Sequence, residues 1–409
     1  MGQPLALVKA FSQNLYGDPA KANPYDYGHL PEVTVNPDGT GSIQKHYCLG
    51  CISHELVQVM PDNRTVLMGD DFTNGALFMF VADKEKDLSA GTLYAAKYTS
   101  VLNATASAAI SWINLGHASS AEIKALVDGG IKATDIMDSV TTDPADPTYT
   151  KIVLSKKTLW VRVKAGQEKA AAFLETHRYA ALKGASMAFT KMEGTTVNVK
   201  DKKAYSAISA IRDSMVSGKS GFVAANNVAF PAAINAGGVL EHTMTGGQKD
   251  SAGAAINSEW VPASSQFIAP LLGEDLATPD ALGNTANADK VANSDNLKFS
   301  EKMRTLFIGE DSGMHVNNFL WAYNVDTKQL SRVLSTPSGA ESTGLQAVDE
   351  VNGWTYLMSN FQHPGDWESP LHDVVKPTLD PLIRANYKDR YGAAVGYLTA
   401  TPSQTKLSW

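Results

Sequence analysis

Seven carboxylates sit where strand-like runs end: Glu55, Asp70, Asp71, Glu193, Glu310, Asp311 and Glu341. Hard cations such as Ca²⁺ take roughly six to eight oxygen ligands, so a site for one needs several such side chains gathered from distant parts of a chain. Taken singly, an Asp after Gly at a strand end is more ordinary, accepting the backbone N–H groups of a turn. Repetition lifts the acidic pairs above that. Arg64–Asp71 reads RTVLMGDD and Arg304–Asp311 reads RTLFIGED, and each is followed by a second apolar run ending in Asp, Asn74–Asp83 and Asn317–Asp326. One strand–acidic turn–strand unit is used twice. Such reuse predicts a radial or stacked all-β architecture in which the pairs occupy equivalent strand ends.

Other reactive side chains stand in less decisive contexts. His54 sits beside Glu55 ahead of a strand, and His363 lies in Gln362-His-Pro-Gly365. The simpler roles are an imidazole bonded to a neighbouring carbonyl for His54 and a turn histidine before Pro364 for His363. Cys48 and Cys51 are spaced C-x-x-C, but Ile52 follows, so this is no c-type haem site. A tetrahedral zinc site would need two more ligands, and His46 and His54 are nearby. The alternatives are a local disulfide or two free thiols in a turn. The sequence contains no G-x-S-x-G elbow, P-loop or H-E-x-x-H, and Gly237-Gly238 and Gly246-Gly247 lack the strand–helix setting of a dinucleotide site.

The elements that would position these groups are mainly strands. Glu32–Val35 and Ser42–Tyr47 flank the turn signal Asn36-Pro-Asp-Gly-Thr-Gly41. Strand patterns recur at Gly91–Tyr98, Thr195–Asp201, Ser294–Phe299 and Trp354–Asn360. Helical patterns interrupt them at Ala121–Val140, with Ser119 or Ser120 as cap, and at Gln167–Lys183, ending at Gly184. These predict helical insertions at about 119–140 and 166–184 in an all-β chain. Further helices are expected at Ala204–Gly221 and Thr378–Tyr391. Ala224–Asn293, rich in Ala, Gly, Asn, Ser and Pro, reads as a long irregular loop, and Tyr397–Leu407 as a weak tail.

The 409 residues, 44% hydrophobic and 19% charged, can bury a large core, and a β-propeller of this size forms one domain. A net charge of −7 argues against nucleic acid as a partner, because phosphate contacts need a basic surface. No apolar run approaches the ~20 residues of a membrane span. Met1–Ala10 shows no charged start, long apolar core and cleavage site in sequence, so no signal peptide is visible. The expectation is a cytoplasmic chain, or one whose leader lies upstream of Met1.

The order of the short motifs resembles the bacterial PhoX alkaline phosphatase family. The matching runs are Ser53–Glu55, Gly69–Asp71, Gly91–Tyr94, Arg178–Ala185, Glu193, Ser294–Leu297, Gly309–Asp311, Ala340–Gly344 and Gln362–Gly365, spread over most of Cys48–Trp367. The resemblance implies a six-bladed β-propeller whose central site binds calcium and iron and hydrolyses phosphomonoesters outside the cytoplasm, in the periplasm or beyond. It assigns Glu55, Glu193, Glu310 and Glu341 to metal-ligand positions, with Asp70, Asp71 and Asp311 adjacent. Catalytic roles fall on Glu193, Lys191 and His363. Two departures are visible. The family's early Trp-containing segment ending in Cys-Glu-Glu has no counterpart here. The family's Arg-Pro-Glu is here Lys191-Met192-Glu193, so an ammonium replaces a bidentate guanidinium. A non-catalytic secreted or surface propeller with structural calcium is the alternative, and a metal-dependent lactone hydrolase is a third reading by fold analogy.

Overall fold

A computed structural model of the chain describes residues 5–400. Helix α1 (Leu5–Tyr16) precedes a hairpin of β1 (Leu30–Val35) and β2 (Gly41–His46). The Asn36 N–H donates to Thr40 O at 2.8 Å across the expected turn. An antiparallel meander follows: β3 (His54–Val59), β4 (Thr65–Gly75), β5 (Phe78–Lys84), β6 (Asp87–Tyr98) and β7 (Ala108–Ser119). Then come α2 (Ser120–Asp128), α3 (Ala133–Ile136), a small sheet of β8 (Met137–Val140), β9 (Thr150–Leu154) and β10 (Lys157–Val163), and helices α4 (Glu168–Leu174) and α5 (Thr176–Leu182).

A second meander comprises β11 (Phe189–Asn198), β12 (Lys203–Ile208), β13 (Gly238–Thr245) and β14 (Val261–Leu272). A third holds β15 (Ser294–Ser300), β16 (Thr305–Glu310), β17 (Phe319–Asn324) and β18 (Leu330–Ser335). The fourth is β19 (Glu341–Val351), β20 (Trp354–Gln362) and β21 (Ala394–Ala400), with α6 (Lys376–Asn386) between its last two strands. The chain is thus mostly β. The first two meanders join edge to edge, since β7 pairs with β14 and β4 pairs with β11, closing a ring of eight strands with β3 outside it.

The apolar runs of the first repeat are continuous because both faces of β4–β6 are covered. Successive side chains on a strand point to opposite faces. Val66, Met68, Phe78, Phe80 and Leu93 pack with residues of α2, α4 and α5, while Leu67, Met79, Val81 and Tyr94 pack into a second core with Phe189, Ile208 and Leu240. Helix α2 starts where Ser119 Oγ accepts the Glu122 N–H at 3.2 Å and Glu122 Oε2 accepts the Ser119 N–H at 2.7 Å, a reciprocal cap. The helical stretch 167–183 is split at Glu175, whose buried carboxylate accepts Tyr25 Oη at 2.6 Å and Arg178 Nη1 at 3.0 Å. The last residues of the 121–140 stretch form β8 instead of helix.

Two expectations fail outright. Residues 204–208 are strand β12, paired on both sides, and 213–215 make only a short 3-10 turn. The Ala and Ser residues there are compatible with helix, but ring closure decides the conformation. The 224–293 loop instead contains β13 and β14, two of the ring's eight strands. Their small and polar residues hide the alternation. Pro262 and Pro270, which read as strand breakers, both lie within β14. Of the weak tail, 397–400 belong to β21 and the remainder lies outside the described residues. Among the described residues no helix is long and apolar enough to cross a membrane.

Candidate metal centre

Each meander opens with a strand that brings a carboxylate to a common centre: Glu55 on β3, Glu193 on β11, Asp295 on β15 and Glu341 on β19. These opening strands pack in succession, β3 on β11, β11 on β15 and β15 on β19. Four acids from distant parts of the sequence are thereby brought together. Second strands add Asp71 from β4 and Asp311 just beyond β16.

The repeated glycine before each acidic pair is what permits the approach. A Cβ on Gly69 would lie 2.1 Å from the carbonyl oxygen of Glu193, and one on Gly309 would lie 2.5 Å from that of Ser342. Any side chain at either position would force β4 off β11, or β16 off β19.

Electrostatics register the crowding. Burial, then Asp71, push the Glu193 carboxyl up to about 7, against the opposing pull of Lys191. Burial, then Glu193, Asp311, Glu55 and Glu341, push Asp295 up to about 8. Loss of hydration followed by like charge also raises Glu55, through Asp71, and Asp311, through Glu341. The tightest group is Glu55, Asp71 and Glu193, which offer oxygens all within 4.8 Å of one another. Lys191 Nζ enters this group, 2.9 Å from Glu193 Oε1 and 3.6 Å from Asp71 Oδ1.

Asp70 and Glu310, the partners of Asp71 and Asp311 in the repeat, do not join the cluster. Adjacent strand residues face opposite ways. Asp70 pairs with His177 Nε2 at 2.8 Å and accepts the backbone N–H groups of Ser53 and Ala76. Phe72 stacks on that imidazole, with ring centroids 4.3 Å apart. Glu310 accepts from Ala292 N (2.9 Å), Phe319 N (3.0 Å) and Trp321 Nε1 (2.7 Å) and pairs with His315 Nδ1 at 3.0 Å. Both carboxylates are fully buried and saturated by protein groups, so their ligand role is corrected to a structural one.

Glu341 lies 3.0 Å from His363 Nε2, whose Nδ1 is 3.0 Å from Gly339 O. Burial lowers the His363 pKa, but the hydrogen bonds to Glu341 and Gly339 O and the charges of Glu341 and Asp366 together outweigh it, and the net shift is upward. His54 takes the simpler role, with Nε2 3.1 Å from Gly50 O. The cysteines are buried free thiols: Cys48 Sγ faces Leu88 O and Ser120, Cys51 Sγ faces Tyr27 O, and burial pushes both up to about 11. Neither belongs to the carboxylate group, and they form no zinc site with His46, which pairs with Glu32.

Asp295 is a site residue that the sequence did not single out as a ligand, although it lies within the matching run Ser294–Leu297. It is 9% exposed, and its carboxylate accepts no hydrogen bond among the described residues. Its signal was its place, second residue of an opening strand, as Glu55 is in β3. Beside the cluster is a cleft of about 470 Å³ bordered by Lys191, Asp311, Arg212 and Glu368.

The donors at the centre are all carboxylate oxygens. They fit a hard divalent cation such as calcium, and they include no thiolate.

No family model matches the chain, and no curated protein does. Among solved structures, the phage phi92 endosialidase is similar with a TM-score of 0.27 at 10% sequence identity, over 84% of this chain. The match spans 47% of that protein.

Proposed function

We propose that the chain is a PhoX-like phosphomonoester hydrolase, built as a β-propeller whose axis is lined by carboxylates. One observation carries the proposal: four successive meanders each send an opening-strand acid to one centre, the convergence of carboxylates that a central cation site requires. The motif order of the sequence supplies the substrate class, and by the same likeness a location outside the cytoplasm. Calcium bound by Glu55, Asp71 and Glu193 would neutralise charge on a phosphoryl oxygen during transfer. Lys191 supplies a point charge that can meet a second phosphoryl oxygen. His363, held by Glu341 and Gly339 O, retains a proton that a departing alkoxide can take. The iron that the resemblance implies finds no thiolate ligand here, and no step is assigned to it.

The test is release of a chromogenic alcohol from an aryl phosphate by the purified full chain, with calcium and with chelator. Turnover that the chelator abolishes supports the proposal. A second reading, a non-catalytic propeller with structural calcium, is favoured by the ammonium of Lys191 already seated among the acids. It predicts no turnover and a chelator-induced fall in melting temperature.

A further inference from the structure

Arg212 stands out from the other arginines. Every other arginine donates at least one hydrogen bond, whereas the Arg212 guanidinium donates none among the described residues. Its nearest carboxylate oxygen, Asp213 Oδ2, is 3.8 Å from Nε, and the side chain is 49% exposed. Its backbone is nonetheless fixed against the metal centre. The Arg212 carbonyl accepts Thr190 Oγ1 at 3.0 Å, and the Ser209 N–H donates to Lys191 O at 2.9 Å. Segment 209–212 therefore runs alongside Lys191, and both cationic side chains border the same cleft of about 470 Å³. That volume is within the range of small-molecule sites.

Lys191 is committed to Glu193 and Asp71, and an ammonium offers no planar fork. A guanidinium without partners, beside carboxylates that would hold a divalent cation, is suited to grip two oxygens of a tetrahedral oxyanion. The rest of the cleft bears on what that anion is attached to. Ser209, Asn235, Asp311 and Glu368 border it, no aromatic side chain does, and Ala210 and Met314 are its apolar contribution. A hydrophilic alcohol fits such a lining and an aryl or long alkyl group does not.

We infer that Arg212 binds the phosphate group of a small hydrophilic monoester, such as a polyol or sugar phosphate, in this cleft. This rests on the phosphatase reading for the ester, but the anion contact can be tested apart from turnover. In the calcium-supplemented full chain, inorganic phosphate binding is measured by calorimetry for wild type, Arg212→Met and Arg212→Lys. KM and kcat are measured for glycerol 2-phosphate and 4-nitrophenyl phosphate.

The expected result is about tenfold weaker phosphate binding in Arg212→Met, a similar rise in KM with kcat changed less, and partial recovery in Arg212→Lys. Melting temperatures should stay close, since the guanidinium makes no hydrogen bond among the described residues and half of the side chain is exposed. Wild type should show a lower KM for glycerol 2-phosphate than for the aryl ester. Phosphate binding that depends on Arg212 without turnover of either ester would leave the anion site standing and remove the phosphatase reading. Turnover with phosphate affinity and KM indifferent to Arg212→Met would remove the inference and leave the phosphatase. A wild type that binds no phosphate, or that has the lower KM for the aryl ester, also overturns it.

Discussion

Lys191 Nζ lies 2.9 Å from Glu193 Oε1, so the acidic centre carries a cation of its own. Glu193 is 4% exposed, which makes an unpaired charge there costly. Burial works against the ammonium too, yet Glu193, Asp71 and Asp311 together hold it more firmly protonated than a free lysine. A divalent ion entering between Glu55, Asp71 and Glu193 competes with that ammonium for the same oxygens. Binding strength and the stability of the metal-free protein are therefore coupled through one side chain.

Replacing Lys191 by Met separates the two. Without calcium, the variant should lose roughly 1–3 kcal/mol, the cost of stranding a largely buried carboxylate, discounted because Lys191 is itself part-exposed. With the competitor gone, calcium should bind about tenfold tighter and restore most of the loss. Thermal unfolding with and without chelator reads the first effect, and calcium titration calorimetry the second. An unchanged melting temperature together with unchanged affinity would mean that the lysine is a bystander.

The raised carboxyl groups fix the sign of a pH effect. Glu193, near 7, and Asp295, near 8, keep protons in the folded protein that the unfolded chain releases near pH 4. Their contribution to stability is complete below the unfolded values and disappears as pH rises through about 7 and about 8. The metal-free protein should therefore melt at a lower temperature at pH 8.5 than at pH 5.5. Calcium requires ionised ligands, so its stabilising increment should be larger at the higher pH. Melting curves at both pH values, with calcium or chelator, check this, and an increment that shrinks with pH would contradict the cluster as a cation site.

The acidic repeat could be read from the sequence because its physical cause is local: a glycine for close approach, then one acid to each face of the strand. Which acid faces the centre was not legible. In each pair the second member, Asp71 or Asp311, is in the cluster, and the first serves a buried histidine. That choice depends on His177, which comes from a helix more than a hundred residues away, and on His315, which follows Glu310 in the irregular link to β17. The Asn36–Gly41 turn and the Ser119 cap were visible for the same reason as the repeat, since their bonds are made within a few residues. Strands β12 to β14 escaped notice because ring closure, a long-range event, makes them strands despite small and helix-tolerant residues. Arg212 carried no motif at all, and its importance rests on having no partner.

The division within each pair can be tested directly. Asp70→Ala should cost about 3–5 kcal/mol by leaving His177 and two backbone donors buried without an acceptor, and Glu310→Ala should cost a similar amount. Asp71→Asn should cost little stability, since Asp71 is only half-buried, but should weaken calcium binding about tenfold or more. Denaturant unfolding and calcium titration on the three variants separate the roles. Equal calcium loss in a folded Asp70 variant would place that carboxylate back among the ligands.

Gly69 tests whether convergence itself matters. An alanine there brings a Cβ to 2.1 Å from the Glu193 carbonyl oxygen, an encounter with backbone that no rotamer change relieves. Strand β4 must then move away from β11 where Asp70 pairs with Met192, carrying Asp71 away from Glu193. Gly69→Ala should destabilise the fold by about 1–3 kcal/mol, the usual cost of overpacking. It should also weaken calcium binding by more than that loss of stability accounts for. Gly39→Ala is the control: its turn needs a left-handed glycine, but no atom lies within 4 Å of its added Cβ and the hairpin is remote from the acids. Both variants strain the backbone, so a fall in calcium affinity confined to Gly69→Ala would tie binding to the approach of β4 and β11. Equal affinities in the two would mean that the cation is held without that approach.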